Sequence, residues 1–269
     1  MSISQEFEAT GITLKYYNFN DFDRIIHLFT KEYGIVQAIA KGVRNPKRKL
    51  LGNTDLLNIN RYVLKKGKSL NSILQCESIK YFPFINLDYD KLIYSLFLGE
   101  LILLFIHEGD DHSKIFNLLV YTLEKIETSE HPIIETLWFQ INFLKQIGYE
   151  QDFYCCNRCN KKLLYSLNTL KVAEKQEDYN NNSNNLDFLK NNKKLGFSFN
   201  TGGIICNDCL IDSSNYKIIN QEMLNLLIKI IEFENIEFLN NENELLKKLQ
   251  DIFKEYLSIL SDKKIKSLI

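Results

Sequence analysis

The stretch Glu8-Ala-Thr-Gly-Ile-Thr-Leu-Lys15 alternates apolar and polar side chains and places Ile12 and Leu14 on one face. Alternation with a period of two is typical of a β-strand with one buried face. Polar turns that contain glycine, such as Tyr33-Gly34 and Lys65–Lys68, separate this stretch from others of the same kind. The four further stretches are Arg24–Thr30, Ile35–Lys41, Leu56–Leu64 and Leu70–Ile79. Five short strands joined in this way predict a small antiparallel barrel or sandwich.

Beyond residue 82 the apolar residues recur at helical spacing. The segments with this spacing are Asp88–Glu108, Ser113–Glu127, Pro132–Ile147, Gln221–Phe233 and Glu242–Leu260. Pro132 suits the first turn of a helix, and Gly109 and Gly148 suit positions just after a helix end. Between the third and fourth segments, 7 of the 13 residues in Asn180–Asn192 are asparagine. Such a composition buries little apolar surface, so we expect a helical region interrupted by an Asn-rich insertion.

Five of the six cysteines lie close together in sequence and include two C-x-x-C pairs, Cys156-Asn-Arg-Cys159 and Cys206-Asn-Asp-Cys209. Two thiolates at positions i and i+3 of a tight turn can bind one metal ion, and Zn²⁺ prefers four ligands in a tetrahedron. Cys155 and Cys159 have the wrong spacing, so Cys156 is the predicted ligand. We predict one structural Zn²⁺ per chain, bound by Cys156, Cys159, Cys206 and Cys209. Buried free thiols and a redox pair are the alternatives.

The residues beside the two pairs support tight turns. Asn160 follows the first pair, and asparagine tolerates the left-handed conformation that such a turn often needs. Gly202-Gly203 precedes the second pair and allows the chain to reverse sharply. The 46 residues between the pairs exceed the usual ~15–20 residues, and the Asn-rich insertion accounts for the excess.

Basic residues concentrate between Lys41 and Lys68, where nine lysines and arginines accompany one acid, Asp55. This segment has a net charge of +8. Because the whole chain has a net charge of −1, the remainder of the chain has a net charge of −9. Clustered cations neutralise the phosphates of a nucleic acid and release its counterions. We therefore favour a nucleic-acid-binding role for this segment, and a merely solvated charged surface is the alternative. The densest groups lie in predicted loops and comprise Lys41, Arg44, Lys47, Arg48 and Lys49, then Lys65, Lys66 and Lys68.

Five aromatic residues lie in or near the same part of the sequence. They are Tyr16, Tyr17, Phe19, Phe22 and Tyr62. Exposed aromatic rings stack on unpaired bases, so each is a candidate platform. Taken one by one, however, a place in the core is the favoured interpretation of each ring.

Catalytic motifs are absent from the sequence: there is no phosphate-binding glycine loop and no nucleophile elbow. The segment His107-Glu-Gly-Asp-Asp-His112 holds two histidines and three acids, which allows the alternative of a metal-dependent nuclease. Gly109 interrupts the helix there, however, and histidines at i and i+5 do not share a helical face. We favour a solvated connection between two helices and expect no enzymatic activity.

Export and membrane insertion are not predicted. The first ten residues contain Glu6 and Glu8 and no apolar run, so we expect no signal peptide. The longest apolar run, Leu92–Ile106, contains Glu100 and is shorter than the ~20 residues that span a bilayer. We therefore interpret that run as a buried helix.

Ordered motifs extend over essentially the whole chain. Glu8–Lys15 and Asp23–Gly34 form a strand, a second strand and a turn. Ala40-Lys41-Gly42-Val43-Arg44 with Pro46-Lys47 forms a basic A-K-G-x-R-x-P segment. The two C-x-x-C pairs follow, the second after Gly202-Gly203-Ile204-Ile205, and Lys264–Leu268 closes the chain. In this order the motifs resemble those of the RecO family of bacterial DNA repair proteins. The chain departs from the family pattern at Asn160, where glycine is usual, and in the enlarged segment between the cysteine pairs.

The resemblance implies an α+β multidomain fold: a five-stranded OB-fold barrel, then an all-α domain with a four-cysteine, zinc-ribbon-like segment. We expect the OB-fold domain in residues 1–82 and the first part of the helical domain in 83–154. The zinc-binding segment is expected in 155–212, with the insertion at about 175–194. Residues 213–269 are expected to complete the helical domain with C-terminal helices.

The resemblance also implies the function of a DNA repair and recombination mediator in the cytoplasm, associated with the nucleoid. Such a protein binds single- and double-stranded DNA and anneals complementary strands. With RecR it helps to load RecA onto DNA coated with single-strand binding protein, in the RecF pathway. Arg24, Lys41, Arg44 and Lys47 match the family motif as DNA-binding residues, whereas Arg48, Lys49, Lys65, Lys66 and Lys68 rest on charge alone.

Not every member of the family keeps all four cysteines, so the resemblance implies that zinc is not needed for the activity itself. The alternative from a different class is a zinc-ribbon scaffold for protein interactions without a primary role on DNA.

Overall fold

The computed structural model describes residues 5–45, 54–109, 112–163, 194–210, 215–232 and 242–267. By its internal contacts the chain divides into a first unit, Met1–Ile147 with Lys263–Ile269, and a second unit, Gly148–Asp262. The four-part division expected from the sequence and its family resemblance stays a prediction. Among helices in the described ranges, none has the length and apolar character needed to cross a membrane.

The first unit begins with five strands that close into a barrel in the order β1-β2-β3-β5-β4. The strands are β1 (Glu6–Phe19), β2 (Asp23–Thr30), β3 (Gly34–Ala40), β4 (Ile59–Lys65) and β5 (Asn71–Lys80). Neighbouring strands are antiparallel except β3 and β5, which pair in parallel with Ala38 opposite Asn71. The predicted OB-type barrel is therefore confirmed, with strand bounds close to those read from the alternation.

Apolar side chains such as Ala9, Ile26 and Leu64 form the core of the barrel, and one polar network lies among them. Ile12 and Leu14 of β1 are buried as well, as the alternation predicts, but they do not belong to this core cluster, and Leu14 lies beside Gly99. The Tyr62 hydroxyl is hydrogen-bonded to Thr13 Oγ1 at 3.0 Å and accepts a bond from Asn60 Nδ2 at 2.8 Å. Tyr62 is fully buried, so it has the core position that was favoured for it and is not a base-stacking platform. Its hydroxyl satisfies polar groups that would otherwise be buried without partners.

In the part that the structure describes, the first unit continues with four helices: α1 (Pro83–Leu87), α2 (Tyr89–Phe105), α3 (Ser113–Thr128) and α4 (Pro132–Gln146). The sequence pattern predicts the last three but not α1, which is too short to show helical periodicity. Asp88 caps α2 by accepting a bond from the backbone N–H of Lys91 at 3.0 Å. Helix α2 ends earlier than predicted because Ile106 is extended and the residues after it pair with the start of β3.

In its described residues, the second unit contains a three-stranded sheet and three helices. They are β6 (Leu195–Ser198), β7 (Gly203–Ile205), α5 (Asn207–Leu210), β8 (Tyr216–Ile219), α6 (Gln221–Ile231) and α7 (Asn243–Leu260). The sheet is antiparallel in the order β7-β6-β8. Strand β8 lies where only helices were expected. The core forms where Phe197 of β6 packs against Phe253 and Tyr256 of α7, each with ring centroids 5.4 Å apart. The Asn-rich stretch Asn180–Asn192 lies outside the described residues.

After α7 the chain returns to the first unit. The carboxylate of Glu100 on α2 accepts hydrogen bonds from the backbone N–H groups of Lys266 at 2.9 Å and Ser267 at 2.8 Å. Ile265 is buried beside them. Glu100, the acid inside the longest apolar run, is thus explained as the anchor of the C-terminal segment.

Candidate metal centre and nucleic-acid interface

The four predicted ligands meet in the second unit. The sulfur atoms of Cys156, Cys159, Cys206 and Cys209 all lie within 4.8 Å of one another. The Sγ atoms of Cys159 and Cys206, which come from different pairs, are 3.7 Å apart. A tetrahedral metal with bonds of ~2.3 Å to sulfur separates its ligands by about 3.8 Å. The cluster therefore has the size and the donor chemistry of a four-thiolate metal site.

Two tight turns position the sulfurs. In the first turn, the backbone N–H of Asn160 donates to the carbonyl of Cys156 at 2.9 Å, and Asn160 has the predicted left-handed conformation with φ of 57°. In the second, the backbone N–H of Cys209 donates to the carbonyl of Cys206 at 3.0 Å. Gly202, with φ of 69°, reverses the chain before β7. These local bonds explain why the i and i+3 spacing brings each pair of thiols to one side.

Burial raises the pKa values of these thiols, whereas hydrogen bonds from backbone N–H groups lower them. Burial opposes ionisation of Cys156, but the N–H groups of Cys206, Arg158 and Cys159 point at its sulfur and lower its pKa to about 6. Burial and the neighbouring thiols raise the pKa of Cys209 to about 12, and burial raises the pKa of Cys206. Four adjacent thiolates therefore need a cation to balance their charge.

Cys155 stays outside the cluster. Residue 155 forms a β-bridge with Lys162 that closes the base of the first turn, and its thiol is not one of the four grouped sulfurs. The choice of Cys156 over Cys155 thus agrees with the geometry. Two basic residues lie beside the turns: Arg158 Nη1 donates to the carbonyl of Cys209 at 3.2 Å, and Lys161 pairs with Asp208 at 3.2 Å.

The connection between α2 and α3 does not assemble a metal site from its described residues, which exclude Asp110 and Asp111. Instead it docks on the barrel: the N–H of Ile35 donates to the carbonyl of His107 at 3.3 Å, and the N–H of Gly109 donates to the carbonyl of Tyr33 at 3.2 Å. The expected solvated connection is therefore partly a structural contact with the barrel.

The first group of predicted DNA-binding residues lies at one end of the barrel. The loop after β3 is fixed to the β1–β2 turn because the N–H of Arg44 donates to the carbonyl of Phe22 at 2.9 Å and the N–H of Gly42 donates to Asp23 Oδ1 at 2.7 Å. The side chains of Lys41 and Arg44 are exposed on this fixed segment. Lys47, Arg48 and Lys49 lie outside the described residues.

Arg24 differs from the other predicted cations. Its side chain is only 13% exposed, pairs with Asp55 at 3.3 Å and stacks on the ring of Tyr16 at 4.0 Å. The guanidinium therefore links the start of β2 to the loop before β4. A direct contact of Arg24 with DNA stays a prediction.

The second basic group forms the loop between β4 and β5. Lys65, Lys66 and Lys68 are exposed, and the N–H of Lys66 donates to the carbonyl of Gln5 at 2.9 Å. The loop runs beside β3, since Asn71 Nδ2 donates to the carbonyl of Gln37 at 3.2 Å. The β4–β5 loop is one of the loops with which OB-folds bind single strands. Both described basic groups thus lie next to β3.

A groove on the outer face of β1, β2 and β3 was not foreseen. We call it the β1–β3 groove; it has a volume of about 640 Å³. It is lined by Lys15, Tyr17, His27, Ile35, Gln37, Lys66, Gly67, Lys68, Ser69, Asn71, Leu103, Ile106, His107 and Glu108. Lys15 and His27 lie side by side in this groove because strand register, not local sequence pattern, brings them together. Burial and the charge of Lys15 lower the pKa of His27, which favours its neutral form.

The chain thus has the architecture of an OB-type barrel with basic loops, followed in sequence by helices and a four-cysteine centre. The family model "Recombination protein O N terminal" matches residues 1–82, and "Recombination protein O C terminal" matches residues 86–184. DNA repair protein RecO of Dehalococcoides mccartyi is 26% identical over 270 residues, covering 100% of this chain and 96% of that protein.

Two further relatives have the same name. DNA repair protein RecO of Desulfitobacterium hafniense is 24% identical over 209 residues, covering 78% of this chain and 66% of that protein. That of Trichodesmium erythraeum is 31% identical over 210 residues, covering 74% of this chain and 65% of that protein. These last two alignments span less than two thirds of the relatives' length. The chain belongs to the RecO family, a family of DNA repair and recombination proteins.

Proposed function

We propose that this chain is a recombination mediator that binds single- and double-stranded DNA through the basic surface of its barrel. The observation that supports this most is the position of the basic loops. Lys41 and Arg44 follow β3, and Lys66 and Lys68 lie beside it, on a barrel type that binds single strands between such loops. The family membership of the chain points to the same role.

The proposed mechanism is electrostatic. Two complementary strands repel each other through their phosphates, and clustered cations lower this repulsion while they release counterions. The barrel surface then brings strands close enough to pair. The proposed partners are RecR and single-strand binding protein, and RecA benefits indirectly because the coated strand becomes available to it. The site requires no chemical step, which agrees with a proposed non-enzymatic role.

A salt titration tests the DNA surface. For single strands the slope of log K against log salt changes by about 0.7 for each phosphate contact. We expect Lys66→Glu/Lys68→Glu and Lys41→Glu/Arg44→Glu each to weaken binding and to make the slope shallower by about 1.4. Lys47→Glu/Arg48→Glu tests the adjoining segment in the same way.

The matched control is Lys114→Glu/Lys247→Glu, which makes the same charge change at exposed positions on α3 and α7. The control should bind as the unaltered protein does. If the barrel variants and the control lose affinity equally, net charge rather than the barrel surface governs binding. The mediator role itself is tested by annealing of complementary strands coated with single-strand binding protein, with and without RecR.

We propose Zn²⁺ as the metal of the four-cysteine centre, with a structural role. Four thiolates match its preference for soft ligands and tetrahedral geometry, and they leave no open position for catalysis. Cys156, Cys159, Cys206 and Cys209 would bind the ion and tie β7 and α5 to the turn after Phe153. Metal analysis of protein purified without added metal tests this proposal, and about one Zn²⁺ per chain is expected.

A further inference from the structure

Five large apolar side chains are exposed along the stretch of chain that joins β5 to α2. We call them the apolar patch; they are Ile79, Tyr81, Phe84, Leu87 and Tyr89, and they are exposed by 52%, 65%, 60%, 82% and 76%. A large aromatic side chain buries ~150–250 Å² when it is fully covered, so the exposed area of the five is on the order of 500 Å². An exposed apolar patch of this size is often an interaction site.

Helix α1 holds the centre of the patch in a fixed orientation. Residues three apart share a helical face, so Phe84 and Leu87 point outward together, whereas Ile85 between them is buried. The carboxylate of Glu127 on α3 accepts hydrogen bonds from the backbone N–H groups of Phe84 at 3.1 Å and Ile85 at 2.9 Å. The carbonyl of the same glutamate accepts a bond from Lys91 Nζ at 2.8 Å. A surface that is fixed before binding loses little conformational entropy when a partner covers it.

A cavity with a volume of about 670 Å³ opens beside the patch. Tyr81 of the patch lines this cavity together with the apolar Leu56, Leu92 and Leu96, and Asp55 adds an acid to the lining. Binding energy at protein interfaces is concentrated in a few anchor side chains that enter such recesses. The patch and the cavity therefore offer a partner protein both a broad apolar surface and a place for one anchor.

The charges in and beside the patch are mainly negative, since two lysines accompany four acids. The lysines are Lys80 and Lys91, and the acids are Asp88, Asp90, Glu124 and Glu127. Lys80 is already paired with Glu124 at 2.6 Å. An acidic border repels the phosphates of DNA, and a second copy of the patch would place like charges opposite one another. A protein surface with lysines or arginines around its apolar residues complements this border.

We infer that the apolar patch is a docking surface for a segment of a partner protein in which apolar anchor residues are bordered by lysines or arginines. The anchors cover Phe84 and Leu87, one of them enters the cavity beside Tyr81, and the cations face Asp90. Burial of the anchors supplies affinity, and the charges orient the segment. This inference goes beyond the proposed DNA surface and does not depend on it.

The test selects peptides from a phage-displayed random library on the immobilised full chain. The affinity of each selected peptide is then measured for Phe84→Ser/Leu87→Ser and for the control Ile218→Ser/Ile259→Ser, which changes exposed apolar residues of the second unit. We expect a set of peptides that bind the first variant at least about tenfold more weakly and the control within about twofold of the unaltered chain. These patch-dependent peptides should combine aromatic or leucine residues with a positive net charge.

Charge reversal tests the acidic border. Asp90→Lys should weaken the patch-dependent peptides at least about fivefold, whereas Asp251→Lys, which reverses an exposed acid on α7, should leave them unchanged. The inference is wrong if no selected peptide depends on Phe84 and Leu87, or if the control loses affinity equally. It is also wrong if the patch-dependent peptides are acidic or uncharged, or if Asp90→Lys binds them normally.

Two further measurements separate the remaining outcomes. A dimer of the unaltered chain that Phe84→Ser/Leu87→Ser loses in sedimentation would show that a second copy covers the patch, which overturns the inference. The variant should keep its thermal midpoint; if it does not, Leu87→Ala replaces it, because Leu87 is 82% exposed. The variant should also keep the salt-dependent DNA binding of the unaltered chain, so failure of this inference leaves the proposed function intact.

Discussion

The backbone N–H of Cys206 donates a hydrogen bond to Cys156 Sγ at 3.3 Å, although the two residues are 50 positions apart in sequence. The bond joins the two C-x-x-C turns directly. A second bond of the same region, from the N–H of Asn157 to the carbonyl of Ile204 at 2.8 Å, runs alongside it. Each turn is therefore oriented by the other as well as by its own residues. Donors aimed at sulfur also favour the thiolate form that a metal needs.

Replacement of Cys206 should empty the centre. Cys206→Ser exchanges a thiolate for a weaker hydroxyl ligand, and we expect the zinc content to fall from about one per chain to well below half. The thermal midpoint should fall with it, because metal binding and folding are coupled. Cys155→Ser is the control, since Cys155 lies next to the cluster but does not belong to it. Equal zinc in both variants and in the unaltered protein would contradict the assignment of the ligands.

Local sequence pattern was sufficient for several features that depend on neighbouring residues. The alternation in β1, the helix start at Pro132, the left-handed Asn160 and the choice of Cys156 all follow from a few neighbouring residues. The pattern failed where partners are distant. Strand β8 is a strand because Gly196 and Leu195 of β6 pair with it, and its own four residues show no clear period. The pairing of Lys15 with His27 and Gln37 depends on register across three strands, so the groove could not be found from sequence.

Gly202 is a position where any side chain should destabilise the second unit. Its φ of 69° favours glycine, and an added Cβ would collide with the ring of Tyr256, which is packed against Phe197. Strain and collision together should lower the free energy of unfolding of Gly202→Ala by at least about 2 kcal/mol. The change is measured by urea unfolding followed by circular dichroism.

Gly148→Ala is the matched control for this prediction. Gly148 has a φ of 91°, but nothing lies within 4 Å of an added Cβ. Gly148→Ala should therefore lose only the stability that the conformational strain costs, about 1 kcal/mol. If both variants were destabilised to the same extent, the contact between Gly202 and the Tyr256 ring would not contribute.

Glu100 should hold the C-terminal segment on α2. Glu100→Ala removes the acceptor of the N–H groups of Lys266 and Ser267. A hydrogen bond to a charged group contributes about 1.5–3 kcal/mol, so exchange of these two amide hydrogens should become about 10 to 100 times faster. Hydrogen exchange read by NMR measures this. Glu124→Ala removes an acid that pairs with Lys80 on another surface, and it should leave exchange at Lys266 and Ser267 unchanged.

His27 should make the protein less stable in mild acid. Burial and the positive charge of Lys15 lower the pKa of His27 below 6.5, so the unfolded chain binds its proton more readily than the folded chain. Stability therefore increases with pH from the folded-state pKa up to 6.5, and it is lost on acidification through that window.

We expect His27→Gln to lose less stability than the unaltered protein when the pH falls from about 7.5 to about 5.5. Lys15→Gln removes the second cause but leaves the burial, so it should give an intermediate pH dependence and move the imidazole pKa, measured by NMR, back towards 6.5. An unchanged pH dependence in His27→Gln would show that another group is responsible.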